Sequence, residues 1–271
     1  MLDHQKALEA FYAYTSHYDS ENTMIRLKID HTLRVAENCL LLAGSLDMNR
    51  DDKGLAWLLG LLHDIGRFEQ VRRYGTFFDA VSVDHAEFGA DLLFKEKLID
   101  AFPAADFSKE DLQLLETAVR CHNKLSLPRE QDARTRLFCD LIRDADKIDI
   151  FRVIAELPFE ERTGTSRDLF GEGEAAGDPV MACVREHRCV PRSIRRTRFE
   201  SHISHCCMAF ELVFPLSRTL VRRQGFLKGL LSGTDSSGKP LWNEKGRSQL
   251  ALLSHEIEAA WKESSAGAAG T

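Results

Sequence analysis

The chain has 271 residues, 44% of them hydrophobic and 29% charged, with a formal net charge of −6. This is the balance of a globular chain able to bury a sizeable core. The acidic sign gives no general pull toward nucleic acid or an anionic membrane. No apolar stretch reaches transmembrane length, and Met1 to Glu9 lacks the apolar centre of a secretory signal, so a cytoplasmic location is expected. The seven cysteines show no C-x-x-C spacing and read as reduced thiols within a core.

Taken in order, residues 4–18 have helical spacing, with Leu8, Phe11 and Tyr12 facing inward. Asn22 or Thr23 caps a second helix to about Gly44, with a stripe of Met24, Leu27, His31, Val35 and Leu42. Asp51 and Asp52 suit the first turn of a third helix, whose apolar run Leu55–Leu62 ends in His63 and Asp64. Gly66 is expected to cap that helix, and 68–81 to be a connecting loop rich in arginine and aromatic residues. Ser82 is expected to open the next helix, which contains His85 and ends before Pro103.

Ser108 and Asp111 form a capping box for a helix ending at His122 and Asn123. A long helix over about Asp132–Ala155 holds Asp144, Asp146, Lys147 and Asp149. The glycine-rich, charged stretch 160–178 reads as a loop, and 156–198 as a loop or lid insertion, with six arginines between 185 and 198. Helices are expected at about Phe199–Arg223 and Trp242–Trp261, and a disordered tail at 264–271. The fold class is therefore all-α. The expected organisation is an N-terminal helix over 1–22 packed on a core over 23–155, with 199–263 supplying further helices of the same domain.

His31, His63, Asp64, His85, His122 and Asp146 each lie on or beside an apolar helical stripe. Helical neighbours at four residues share a face, so these polar groups should point toward the core. Buried imidazoles and carboxylates are costly unless they converge on something that satisfies them, and a cation does so. Imidazole and carboxylate suit Fe, Mn, Co, Ni, Zn or Mg, and the lack of cysteine at these places argues against a cysteine-rich structural zinc site. Six ligands exceed what one catalytic ion takes from a protein; two divalent ions sharing Asp64 use them better.

The ordered phrases His31-Thr-Leu-Arg-Val-Ala-Glu, Gly60-Leu-Leu-His-Asp-Ile-Gly-Arg67, Asp84-His-Ala-Glu-Phe-Gly-Ala90 and Arg143-Asp-Ala-Asp-Lys-Ile-Asp149 resemble the HD-domain metal-dependent phosphohydrolase superfamily. The resemblance covers about 23–155. It implies an HD-type helical bundle whose helices converge on a metal site; the C-terminal helices read from the sequence are additional to it. It also implies that His31, His63, Asp64 and Asp146 hold a first ion, and that His85 and His122 hold a second with Asp64 bridging. The helical wheel does not choose between Asp144 and Asp146; the resemblance selects Asp146.

Arg67 could clamp a substrate phosphate, and its bland alternative is a surface arginine favoured by a helix C-terminus. Lys147 could contact a phosphate or make a structural ion pair. Arg72 and Arg73 could meet a phosphate or base, with Tyr74, Phe77 and Phe78 as stacking or lid residues; the alternative is that these aromatics plug the core beneath the loop. Solvated roles are expected for Glu69 and Asp84, ordinary pairing or capping for Asp144 and Asp149, and a solvated loop or subunit contact for the run 185–198. His202 and His205 stand at a metal-compatible spacing outside the family region.

The function these features imply is hydrolysis of a phosphate ester, of a nucleotide or another small phosphorylated metabolite, with Asp64, Lys147 and Arg67 as the catalytic candidates. Relatives that cleave diadenosine tetraphosphate have a similar ligand order. Two alternatives share the ligand set: an HD-fold di-iron oxygenase similar to myo-inositol oxygenase, and a metal- or nucleotide-binding module without turnover.

Overall fold

The computed structural model describes residues 2–104, 107–157, 171, 173–235 and 237–268, and is all-α. Among these residues there is no strand, only isolated bridges between Gly171 and Thr197 and between Thr234 and Pro240. Residues 1–149 and 150–271 form two compact units.

In the first unit, Asp3 accepts from the Lys6 amide and opens α1 (His4–Thr15). Phe11 of α1 is wholly buried and meets Phe68 edge-on, with ring centroids 5.9 Å apart. Asn22 caps α2 (Thr23–Ser45) and Asn49 caps α3 (Arg50–Leu62) through their side-chain oxygens. These two helices pack closely because Gly60 has no side chain: a Cβ there would lie 2.6 Å from the Ala36 Cα and 2.9 Å from the Cys39 Sγ.

The expected loop after Asp64 is instead mostly helical. α4 (Gly66–Tyr74) buries Phe68, Glu69, Gln70 and Val71, and stops at Gly75, whose φ of 64° suits a left-handed cap. Gly66 therefore begins a helix; it does not end one. Its lack of a Cβ serves a close approach, since an added Cβ would sit 2.5 Å from the His85 carbonyl oxygen and 2.7 Å from the Gly89 nitrogen. α5 (His85–Ala90) is capped by Asp84, not Ser82; Asp84 accepts from the Ala86 and Glu87 amides. Ser82 hydrogen-bonds Phe78 and Gln70.

The Ser108–Asp111 capping box opens α6 (Lys109–Cys121), with His122 as its C-cap. α7 (Ala133–Glu156) follows, held to α2 by the Asn38 side chain donating to the Ala145 carbonyl.

In the second unit, most of the expected loop at 160–178 lies outside the described residues. Within the expected 156–198 insertion, α8 (Asp178–Arg185) is helical, with Pro179 in its first turn. The long helix expected over 199–223 is broken into α9 (Arg198–Cys207), a 3₁₀ turn at Met208–Glu211 and α10 (Pro215–Gln224). Pro215 cannot continue a helix from before it but fits a first turn. α11 (Phe226–Ser232) and α12 (Glu244–Ala268) complete the unit. α12 runs past the expected end at Trp261, and residues 269–271 of the expected tail lie outside the described set. All seven cysteines are free, and all but Cys189 are buried. No described helix is long and apolar enough to cross a membrane.

Candidate metal centre

The turn between α3 and α4 places His63 and Asp64 side by side, both buried. α2 brings His31, α5 His85, α6 His122 at its end, and α7 Asp146. All six predicted ligands converge. One Asp64 oxygen, Oδ2, lies 3.6 Å from the Nε2 atoms of both His31 and His63. The other, Oδ1, lies 3.4 Å from His85 Nε2 and 3.6 Å from His122 Nε2. Asp146 Oδ1 closes the first group, 3.1 Å from His31 Nε2 and 3.7 Å from His63 Nε2.

The opposite nitrogen of every imidazole is already engaged. Nδ1 of His63 donates to the Gly60 carbonyl and that of His122 to the Val119 carbonyl, both at 2.7 Å. His31 Nδ1 donates to Asp149 at 2.8 Å, and His85 Nδ1 to Asp79 at 2.7 Å. These bonds select the tautomer whose Nε2 lone pair faces Asp64. Arg34 in turn grips both oxygens of Asp149, at 2.6 and 3.0 Å. Asp149 thus orients a candidate ligand, a more specific role than the ordinary pairing expected of it.

Several polar atoms at the centre of this arrangement lack a hydrogen-bond partner among the described residues: His31 Nε2, His63 Nε2 and Asp64 Oδ1 are all buried without one. His85 Nε2 and His122 Nε2 face one another at 3.0 Å. With both Nδ1 atoms donating, each of these nitrogens is an acceptor, and two acceptors at that distance repel unless a cation lies between them. Two groups could hold one: His31, His63 and Asp64, and Asp64, His85 and His122. Burial and Arg67 hold the His85 pKa down, to about 4, against the pull of Asp79, so its imidazole is neutral at ordinary pH. Burial alone would raise the Asp64 carboxyl, but Lys28, His63, His122 and Arg67 together hold it well below the usual range.

Residues 29–150 match the HD domain family. The chain carries an HD domain. The superfamily is of the metal-dependent hydrolase type and its domains bind divalent metals. All six candidate ligands fall inside the HD domain, together with Asp79 and Asp149. No curated protein and no solved structure matches the chain.

Around the ligands of the HD domain the remaining predicted residues divide. Arg67 is half-buried and committed to the protein: one terminal nitrogen donates to Gln70, to the Phe77 carbonyl and to Asp79, while its Nε lies 3.5 Å from Asp64 Oδ1. It braces Asp64 and, through Asp79, His85. Lys147 is buried and donates to the Arg143 carbonyl at 3.3 Å. Glu69 is buried, not solvated; Arg72 and Arg73 both pair with it. These arginines also stack on Tyr18 and Phe88, so they hold α4 in place. Asp84 is tied to Lys124 at 2.7 Å.

One residue of the site went unnoticed in the sequence. Lys28 is 7% exposed, and its ammonium donates to Asp64 Oδ2 at 2.6 Å. It stands just before the matched segment, three residues before His31 and on the same helical face. Phe77 lies beneath it, 5.4 Å from Nζ to the ring centroid.

Proposed function

We propose that the HD domain is a binuclear phosphohydrolase acting on a nucleotide or another small phosphorylated metabolite. The observation that carries this reading is the division of Asp64, one oxygen toward His31 and His63 and the other toward His85 and His122. His31, His63, Asp64 and Asp146 would hold one divalent ion, and His85, His122 and Asp64 the other. Bound ions of this kind supply Lewis acidity and a water acidic enough to attack near neutral pH.

The protein's own part is orientation and charge. Asp149, Asp79 and the Gly60 and Val119 carbonyls fix the four imidazoles before any ligand arrives. Lys28 provides a buried ammonium beside Asp64. From there it can donate to a phosphoryl oxygen, where preorganised positive charge counters the charge developing in phosphoryl transfer. In this reading Lys28, not Lys147, is the lysine that serves the substrate, and Arg67 supports it by bracing Asp64.

The test is turnover by the full chain, loaded in turn with each candidate metal, against phosphomonoesters, phosphodiesters and dinucleoside polyphosphates. Hydrolysis of at least one class is expected. No turnover with any metal would sink the reading. Oxygen consumption by a di-iron form with an organic substrate would favour the oxygenase alternative, and tight nucleotide binding without turnover would favour a binding module.

A further inference from the structure

The second unit contains a cavity of about 350 Å³ between α10, α11 and α12, remote in sequence from the metal ligands. Its size lies within the range of small-molecule sites. Its floor is apolar: Val221, Leu227, Ile257 and Trp261 are all under 5% exposed. The Trp261 ring is fixed, since its indole nitrogen donates to the Ala209 carbonyl at 2.9 Å. Arg222 lies over that ring at 4.6 Å and pairs with Glu258 at 2.7 Å.

That pair decides the charge of the rim. Among the described residues, Glu258 is the one acid lining the cavity, and Arg222 neutralises it. Lys228, on the α11 side, is exposed and makes no hydrogen bond or ion pair among the described residues. The lining thus combines an apolar floor with one unbalanced positive charge at its lip. We infer that this cavity binds a small amphipathic anion, its hydrocarbon body on Trp261 and Ile257 and its anionic head at Lys228. The inference is independent of the activity of the HD domain.

Octanoate is a suitable probe, with octan-1-ol as its uncharged counterpart, titrated into the full chain by calorimetry and tryptophan emission. Saturable binding of octanoate is expected, with weaker binding of octan-1-ol. Lys228→Glu, a change on the surface, should weaken octanoate about tenfold. Ser254→Phe, which fills the cavity, should abolish binding while the circular dichroism stays unchanged. Absence of saturable binding, equal affinity for the alcohol, or full affinity in Lys228→Glu would overturn the inference. The last criterion decides even if Ser254→Phe fails to fold.

Discussion

Lys28 and Asp64 meet at 2.6 Å, ammonium to carboxylate, with both side chains buried. The pair sits where the two halves of the ligand set join. If Lys28 serves the substrate, Lys28→Met should lower kcat by about a hundredfold or more, the size of effect seen when a preorganised charge is removed. Metal content should be unchanged, and Lys28→Arg should recover part of the rate. Loss of metal from Lys28→Met would assign the lysine to holding Asp64 alone.

The two histidine pairs should be separable. His31→Ala should lose the ion on the Oδ2 side and keep the other; His122→Ala should do the reverse. Elemental analysis of each variant is expected to give one ion per chain. A single substitution that emptied both sides would show that the two groups bind as one unit.

The ligands were legible in the sequence because each interrupts an apolar helical stripe, and such interruptions are costly unless shared. Lys28 was hidden by a small error of phase. The apolar spacing puts the inner face of α2 through Leu27, four residues before His31, whereas the buried face passes through Ile25 and Lys28. The i, i+3 relation between Lys28 and His31 was the available signal. α4 was missed because Gly66 resembles a helix end and the segment after it is rich in arginine and aromatic residues. What overrides that composition is tertiary: Phe68 packs on Phe11, and Glu69 gathers Arg72 and Arg73. Asp79 could not be assigned from sequence, since its link to His85 depends on how the loop after α4 closes.

Close backbone approach gives a prediction about stability. Gly60→Ala would drive a methyl group into the Ala36 backbone, which cannot move aside without separating α2 from α3. A loss of about 1–3 kcal/mol is expected by urea unfolding, the usual cost of overpacking. Gly66→Ala should cost a similar amount and also weaken metal binding at His85, whose carbonyl it would displace. Unchanged stability in both variants would contradict these contacts.

Glu69 should make the fold acid-sensitive. Burial raises its pKa, but hydrogen bonds from Arg72 and Arg73 outweigh burial and leave it below the ordinary 4.5. The unfolded chain therefore binds this proton more readily than the folded one. The contribution is fully present above pH 4.5 and is lost as pH falls through the lowered folded value. Glu69→Gln should be less stable near neutral pH and show a shallower loss on acidification. Parallel stability–pH curves for the two proteins would refute the assignment.

The most direct test of the bridging role of Asp64 is a metal count on Asp64→Ala beside the unaltered chain, both purified anaerobically and loaded identically. The account predicts two ions per chain in the unaltered protein and none in the variant, because both groups lose the oxygen they share. Two ions retained in Asp64→Ala would contradict it.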